Sequence, residues 1–166
     1  MSTDAIVLLK EDHKQIRKLF KEFQAAGKGA KERKAKIVEQ ILEALTVHTY
    51  IENEAMYPET RQLLPDLEED VLESYEEHHV ADVLAAELSM MSPDDERFEA
   101  KTTVLIESVS HHIEEEEGDW FPKVREGLTR KQLQEIGARM IELREKAPRK
   151  PSQPSALKKA IDAVTD

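Results

Sequence analysis

The chain has 166 residues, enough for one domain around a single buried core. Its 24 basic and 35 acidic residues give a net charge of -11, which argues against nucleic acid and anionic membranes as partners. No run approaches the roughly 18 apolar residues of a membrane span, no basic-then-apolar leader opens the chain, and cysteine is absent, so the sequence reads as a cytoplasmic protein without disulfides, thiolate metal sites or iron–sulfur clusters.

Helix formers dominate and β-branched runs are missing, so the chain reads as all-α. The first helix covers about residues 3–25. Its apolar stripe is Ile6, Leu9, Ile16, Leu19, Phe20 and Phe23, and Gly27-Lys28-Gly29 ends it. The second covers about 31–64 on a stripe of Ile37, Ile41, Ala44, Leu45 and Ile51, with Pro58 inside it as an expected kink. The third covers about 67–91. Ser92 as N-cap and Pro93 at the first helical position open the fourth, which continues to about 126 across Pro122. Thr129 with Gln132 has the form of a capping box and opens a fifth helix over about 129–146, striped by Leu133, Ile136, Met140 and Leu143. Residues 148–166 form a tail in which Leu157, Ile161 and Val164 suggest a short helix. Short loops between four long helices predict an antiparallel up-down-up-down four-helix bundle with an extra C-terminal helix, residues 1–147 forming one domain.

The two halves repeat. Glu11-Asp12-His13 is followed by Ile16, Leu19, Phe20 and Phe23, and Glu76-Glu77-His78 by Ala81, Leu84, Ala85 and Leu88 at the same spacings. Helix two reads H-T-Y-I-E-N-E-A-M-Y-P from His48 to Pro58, and helix four reads H-I-E-E-E-E-G-D-W-F-P from His112 to Pro122. Each half therefore supplies one lone His and one H-x-x-x-E.

Positions four apart share a helix face, so His48 points with Glu52 and His112 with Glu116. The apolar stripes place these groups, and His13 between Leu9 and Ile16, toward the core. Six ionisable groups aimed at one core need a counter-charge, because unpaired buried charge is expensive. Bound cations supply it. Imidazole with carboxylate suits iron, manganese or zinc, and two Glu across a pseudo-dyad can bridge a metal pair roughly 3.5–4 Å apart. Four His and two carboxylates leave such a pair under-coordinated, with positions for solvent or a small ligand. A single His is ordinarily a satisfied core or surface residue; the repeated set is what carries the argument.

Some positions stay open. The repeat selects His78, whereas the stripe of Leu72, Tyr75, Val83 and Ala86 is centred nearer His79; the repeat is given more weight. Glu115 beside Glu116, Asp82 four residues after His78 and Tyr75 one turn before it are secondary candidates. Tyr50, Tyr57, Trp120 and Phe121 read as ordinary packing or surface residues.

These residues resemble the hemerythrin-like HHE domain family, in its bacterial, mycobacterial-type branch with the H-HxxxE-H-HxxxE pattern, over about Asp4 to Glu126. The resemblance implies a four-helix bundle around an oxo- or hydroxo-bridged pair of iron ions, with manganese or zinc as alternatives. It implies His13, His48, Glu52, His78, His112 and Glu116 as ligands, the two Glu as bridges. Oxygen-carrying hemerythrins place a second His four residues after the one in helix three; here Asp82 stands there. The resemblance thus implies reaction with a small oxidant, hydrogen peroxide, oxygen or nitric oxide, and catalase-like peroxide breakdown in redox stress. A second expectation is an oxygen, nitric oxide or iron sensor or storage module without turnover, signalling to a separate protein partner. A di-metal hydrolase lacks a visible general base, and a metal-free bundle leaves the recurrence unexplained.

Overall fold

The computed structural model describes residues 3–151, and among these every regular element is helical. The short helix expected around Leu157, Ile161 and Val164 lies outside the described residues. Helix α1 is Ala5–Ala25, capped by Asp4, whose carboxylate accepts from the Val7 N–H at 3.1 Å. A turn with Gly29 at φ 90°, a left-handed conformation that favours glycine, leads into α2, Lys31–Ile51. Helix α4 is Glu68–Ser89 and α5 is Phe98–Glu115. The hairpin of α1 with α2 faces the hairpin of α4 with α5, which builds the bundle.

The expected disturbance at each internal proline takes a specific form. A π turn, Glu52–Met56, joins α2 to α3, Tyr57–Leu63, and its counterpart Glu116–Trp120 joins α5 to α6, Phe121–Gly127. Pro58 and Pro122 have no N–H to donate, and their rings collide with the carbonyl four residues back in a regular helix. The wider turn relieves this. The Tyr57 N–H bonds to the Glu52 carbonyl and the Phe121 N–H to that of Glu116, five residues back in each case.

One boundary differs from expectation. Helix α5 starts at Phe98, not Pro93. The Ser92 hydroxyl accepts from the Asp94 N–H at 3.2 Å and the Asp95 carboxylate from the Arg97 N–H at 2.9 Å. These side-chain turns occupy the backbone donors that a first helical turn would leave free. Helix α7, Arg130–Lys146, opens on the full capping box: Gln132 N–H to Thr129 Oγ1 at 3.1 Å and Thr129 N–H to Gln132 Oε1 at 2.8 Å.

The apolar core is divided. One cluster holds Ile6, Leu9, Ile51, Met56, Val71 and Phe121, and α7 covers it with Leu133, Ile136 and Met140. The other holds Ile16, Phe20, Ile41, Leu45, Leu105 and Ile106. Between them each of α1, α2, α4 and α5 inserts a histidine: His13 follows Leu9 and precedes Ile16, and His48 lies between Leu45 and Ile51. Each fully buried aliphatic side chain contributes about 1.5–3 kcal/mol, so the two clusters carry the fold and clamp the polar layer between them.

Candidate metal centre

The polar layer is buried. Relative exposure is 0% for His13 and Glu52, 2% for Glu116, 3% for His78, 4% for His48 and 6% for His112. At that depth a group must find a partner or lose stability. Three of the four histidines turn Nδ1 outward to an orienting group and Nε2 inward. His48 Nδ1 donates to Asp12 Oδ2 at 3.0 Å, His112 Nδ1 to Glu77 Oε1 at 3.0 Å and His78 Nδ1 to Asn53 Oδ1 at 2.9 Å. His13 Nδ1 lies 3.5 Å from Glu117 Oε1, too far for a hydrogen bond. Donation from Nδ1 fixes the tautomer in which Nε2 presents a lone pair.

The inward atoms converge. Glu52 Oε1 lies 2.6 Å from His48 Nε2 on its own helix and 3.6 Å from His78 Nε2 across the bundle. Glu116 Oε1 lies 3.4 Å from His112 Nε2 and 3.2 Å from His13 Nε2. Each carboxylate thus reaches one histidine from each half. His13, His48, Glu52 and Glu116 form one group able to hold a cation, Glu52, His78 and His112 a second, with Glu52 common to both.

Burial and neighbouring charges set the protonation of the layer. Burial opposes ionisation of His48, but the Glu52 and Asp12 carboxylates overcome it and raise its pKa to about 10. Burial likewise opposes the charged form of His112, and Glu116 and Glu77 raise it to about 9. Burial would raise Glu52, yet the His48 imidazolium holds it down at about 2. Burial pushes His13 down to about 4 and His78 well below its usual range, each against a nearby Glu116 carboxylate. Glu116 is raised by burial and by the charge of Glu52. Protons on His48 and His112 therefore offset the two carboxylates, while burial keeps His13 and His78 neutral in the same layer.

The donor set fits a metal pair. His13 Nε2, His48 Nε2, both Glu52 oxygens and Glu116 Oε1 have no hydrogen-bond partner despite full burial. The close approaches among these atoms lack the directionality of hydrogen bonds, as expected of lone pairs aimed at a shared point. His78 Nε2 and His112 Nε2 stand 3.1 Å apart. Two donors about 2.1 Å from one ion and at right angles to each other are about 3.0 Å apart, so this spacing suits adjacent ligands.

The model of the hemerythrin HHE cation-binding domain matches residues 4–124. The chain belongs to that family. Its fold is similar to the crystal structure of a hemerythrin HHE cation-binding domain-containing protein from Mycobacterium kansasii, with a TM-score of 0.70 and 24% identity over 86% of this chain and 88% of that one. A curated DNA nickase from Nostoc sp. is 27% identical over 128 residues, which are 77% of this chain and 35% of the nickase. The chain thus spans about a third of the length of that relative.

Within this HHE domain the secondary candidates stand apart from the convergent atoms. His79 is half-buried and its charge acts on Asp82. Glu115 is exposed and pairs with His111 at 3.0 Å. Tyr75 reaches the Asn53 carbonyl at 3.5 Å and packs edge-on against Tyr57. Tyr57, expected only to pack, is different. Its hydroxyl donates to Glu116 Oε2 at 2.8 Å and lies 3.1 Å from His78 Nε2 and 3.3 Å from His112 Nε2. Burial, with Glu116 and Glu52 adding to it, pushes the phenol pKa well up, so the oxygen keeps its proton in the absence of a cation. The matching Phe121 stacks on His13 with 5.8 Å between centroids and 8° between planes. Asp12, Glu77 and Asn53 are the other residues that sequence reasoning passed over. The acid preceding the lone His in each half, Asp12 and Glu77, was visible in the repeat, but its partner is the histidine of the next helix rather than its own neighbour.

Proposed function

We propose that this HHE domain holds two iron ions and breaks down hydrogen peroxide, two molecules yielding two of water and one of oxygen. The observation that supports it best is the buried convergence of four imidazole nitrogens and two carboxylates, among which His13 Nε2, His48 Nε2, both Glu52 oxygens and Glu116 Oε1 lack hydrogen-bond partners. In this reading His13, His48, Glu52 and Glu116 hold one ion, and His78 and His112 hold the other with Glu52 shared. Iron supplies reversible electron exchange with the oxidant, chemistry that no side chain of this cysteine-free chain offers.

The surroundings suit a small substrate. A cavity of about 20 Å³ touches His48, His78 and His112 and is walled by Leu45, Ala81, Val109 and Ile113, room for one or two atoms the size of a water oxygen. No organic substrate fits it. The Tyr57 hydroxyl keeps a proton 2.8 Å from Glu116, beside both imidazoles, where an oxygen leaving a peroxide needs one. Asp12, Asn53 and Glu77 hold the imidazole planes against rotation. The nickase likeness does not extend the reading to DNA, since a chain of net charge -11 repels phosphates.

The test is iron content, the visible spectrum and oxygen release from peroxide, on protein from iron-supplemented cells and on Glu52→Gln and Glu116→Gln. The reading expects about two irons per chain, near-ultraviolet bands of an oxo bridge, and oxygen release above free iron, all reduced in both variants. Two irons without oxygen release turn the reading to a sensing or storage module. A folded helical protein that takes up no metal refutes it.

A further inference from the structure

Phenol and indole side chains give up a single electron readily, and the chain holds three tyrosines and one tryptophan. Tyr57, Tyr75 and Trp120 meet in one group. Tyr57 and Tyr75 lie 5.3 Å apart between ring centroids with 79° between planes, and Tyr57 and Trp120 lie 5.4 Å apart with 75°. Tyr57, fully buried, is the middle ring. Its hydroxyl donates to Glu116 Oε2 at 2.8 Å and stands 3.1 Å from His78 Nε2, so the group begins at the centre. Tyr75 is half-buried and carries it to the surface.

Aromatic contact by itself is ordinary core packing. The repeat shows what packing requires here. The positions matching Tyr57, Trp120 and Tyr75 across the repeat are Phe121, Met56 and Lys10. Phe121 and Met56 are buried like their counterparts, and Lys10 is exposed. The fold therefore builds the equivalent places without a phenol or an indole. A phenyl ring yields an electron far less readily than either, so the two sides of the centre differ in what they can donate.

A phenol gives up its electron most easily when its proton has an acceptor. Tyr57 has one in Glu116 at 2.8 Å, and half-buried Tyr75 has solvent. Trp120 is 3% exposed and its Nε1 is buried without a partner, so the indole has nowhere to pass a proton. The path from the centre to the surface thus runs through Tyr75 rather than Trp120.

We propose that Tyr57 and Tyr75 form an electron relay between the centre and the surface, and that Tyr75 is the residue oxidised when peroxide leaves an oxidising equivalent that no second peroxide removes. The proposal rests on the metal-centre reading above. One electron passes from Tyr57 to the centre as its hydroxyl proton moves along the 2.8 Å bond to Glu116 Oε2. An electron from Tyr75 then refills Tyr57, the proton returns from Glu116 to the Tyr57 oxygen, and the Tyr75 phenolic proton goes to water. Tyr75 has then lost one electron and one proton, and the centre has gained the electron. An external one-electron reductant of the ascorbate class, with a proton from water, restores the phenol. The oxidising equivalent ends on an accessible ring instead of on a buried histidine.

The test mixes iron-loaded protein with hydrogen peroxide and a nitroso spin trap, locates the adducts by peptide mass spectrometry, and records paramagnetic resonance on samples frozen without the trap. The proposal expects a tyrosyl signal that ascorbate removes, and an adduct on Tyr75. Tyr50, half-buried but outside the ring group, should stay unlabelled. Tyr75→Phe keeps the ring and removes only the 3.5 Å contact with the Asn53 carbonyl, and circular dichroism checks its fold. In this variant the adduct should move to Tyr57 or Trp120, the initial rate of oxygen release should match wild type, and the total released before inactivation should fall. Iron-loaded, peroxide-consuming wild type with no adduct on Tyr75, or with Tyr50 labelled equally, overturns the relay while leaving the centre intact. An unchanged tyrosyl signal in Tyr75→Phe overturns it too. A wild type that takes up no iron refutes the centre, and the relay with it.

Discussion

Helix α7 reaches the centre through a single side chain, and Arg144→Ala measures what that reach is worth. Arg144 donates to Asp12 Oδ1 at 2.9 Å and Oδ2 at 2.8 Å, and Asp12 Oδ2 accepts from His48 Nδ1 at 3.0 Å. A charge-assisted hydrogen bond contributes about 1.5–3 kcal/mol when shielded from water. The Arg144 side chain is 39% exposed, and screening reduces the pair to about 1–2 kcal/mol in all. For a chain of this size that lowers the melting temperature of the metal-free protein by about 2–8 °C. The metal should feel more, because an imidazole freed to rotate typically costs about 10–100-fold in metal affinity. Release of iron to excess chelator should therefore quicken by at least about tenfold in Arg144→Ala and Asp12→Asn, with partial recovery in Arg144→Lys. Arg149→Ala serves as the control, since Arg149 approaches Glu43 at 3.9 Å and no histidine. If Arg144→Ala and Asp12→Asn melt early but release iron at the wild-type rate, Asp12 only fastens α7 to α1 and the positioning argument is wrong.

Tyr57→Phe keeps the buried ring but removes the 2.8 Å bond to Glu116; peroxide turnover should drop at least about tenfold with the iron content retained, and an unchanged rate would remove the hydroxyl from the chemistry. Gly137 sits where α7 meets the start of the chain, and a Cβ there would stand 1.5 Å from the Thr3 carbonyl oxygen. Gly137→Ala should cost about 1–3 kcal/mol in urea unfolding, and wild-type stability would mean that this contact is dispensable. Burial raises Asp82 from 3.8 to about 6, against the opposing charge of His79. An acid with a raised folded pKa binds its proton more tightly when folded, so stability is greatest below about pH 4, falls between about 4 and 6, and stays reduced above. Allowing for partial exposure, Asp82→Asn should raise the melting temperature by about 2–4 °C at pH 7.5 and leave it unchanged at pH 4. An equal effect at both pH values would contradict the burial argument.

The bundle was legible because its signals are periodic: stripes at helical spacing, glycine and proline stops, and a capping box that forms with both of its bonds. The convergence of the histidines was legible for the same reason, since H-x-x-x-E stacks one residue over the other on any α-helix. Tyr57 was not. Nine residues separate it from His48, which at ~100° per residue turns it to the opposite face of a regular helix. The π turn absorbs the difference and brings Tyr57 over Glu52, as its partner turn brings Phe121 over Glu116. Pro58 was the visible clue, but a proline indicates that a helix is disturbed without indicating how. The start of α5 was misplaced because Ser92 and Asp95 bond to nearby backbone and imitate a cap without beginning a helix.

Twofold repetition places the groups of the centre, and the departures from it distinguish its two ends. His13 and His48 lie on the side that α7 packs against: Phe121 stacks on His13, and Arg144 of α7 fastens the carboxylate behind His48. His78 and His112 lie on the other side, where the Tyr57 hydroxyl stands beside both imidazoles. The small apolar cavity touches both of these imidazoles. A duplicated hairpin alone would give two equivalent cation positions. Substituting one aromatic ring for the other and covering one face with α7 makes them inequivalent. On the metal-centre reading, Glu52, His78 and His112 would hold the ion nearer the cavity, beside the Tyr57 hydroxyl that keeps its proton. His13, His48, Glu52 and Glu116 would hold the other ion with four side-chain donors, a more enclosed set than the three that would hold the first.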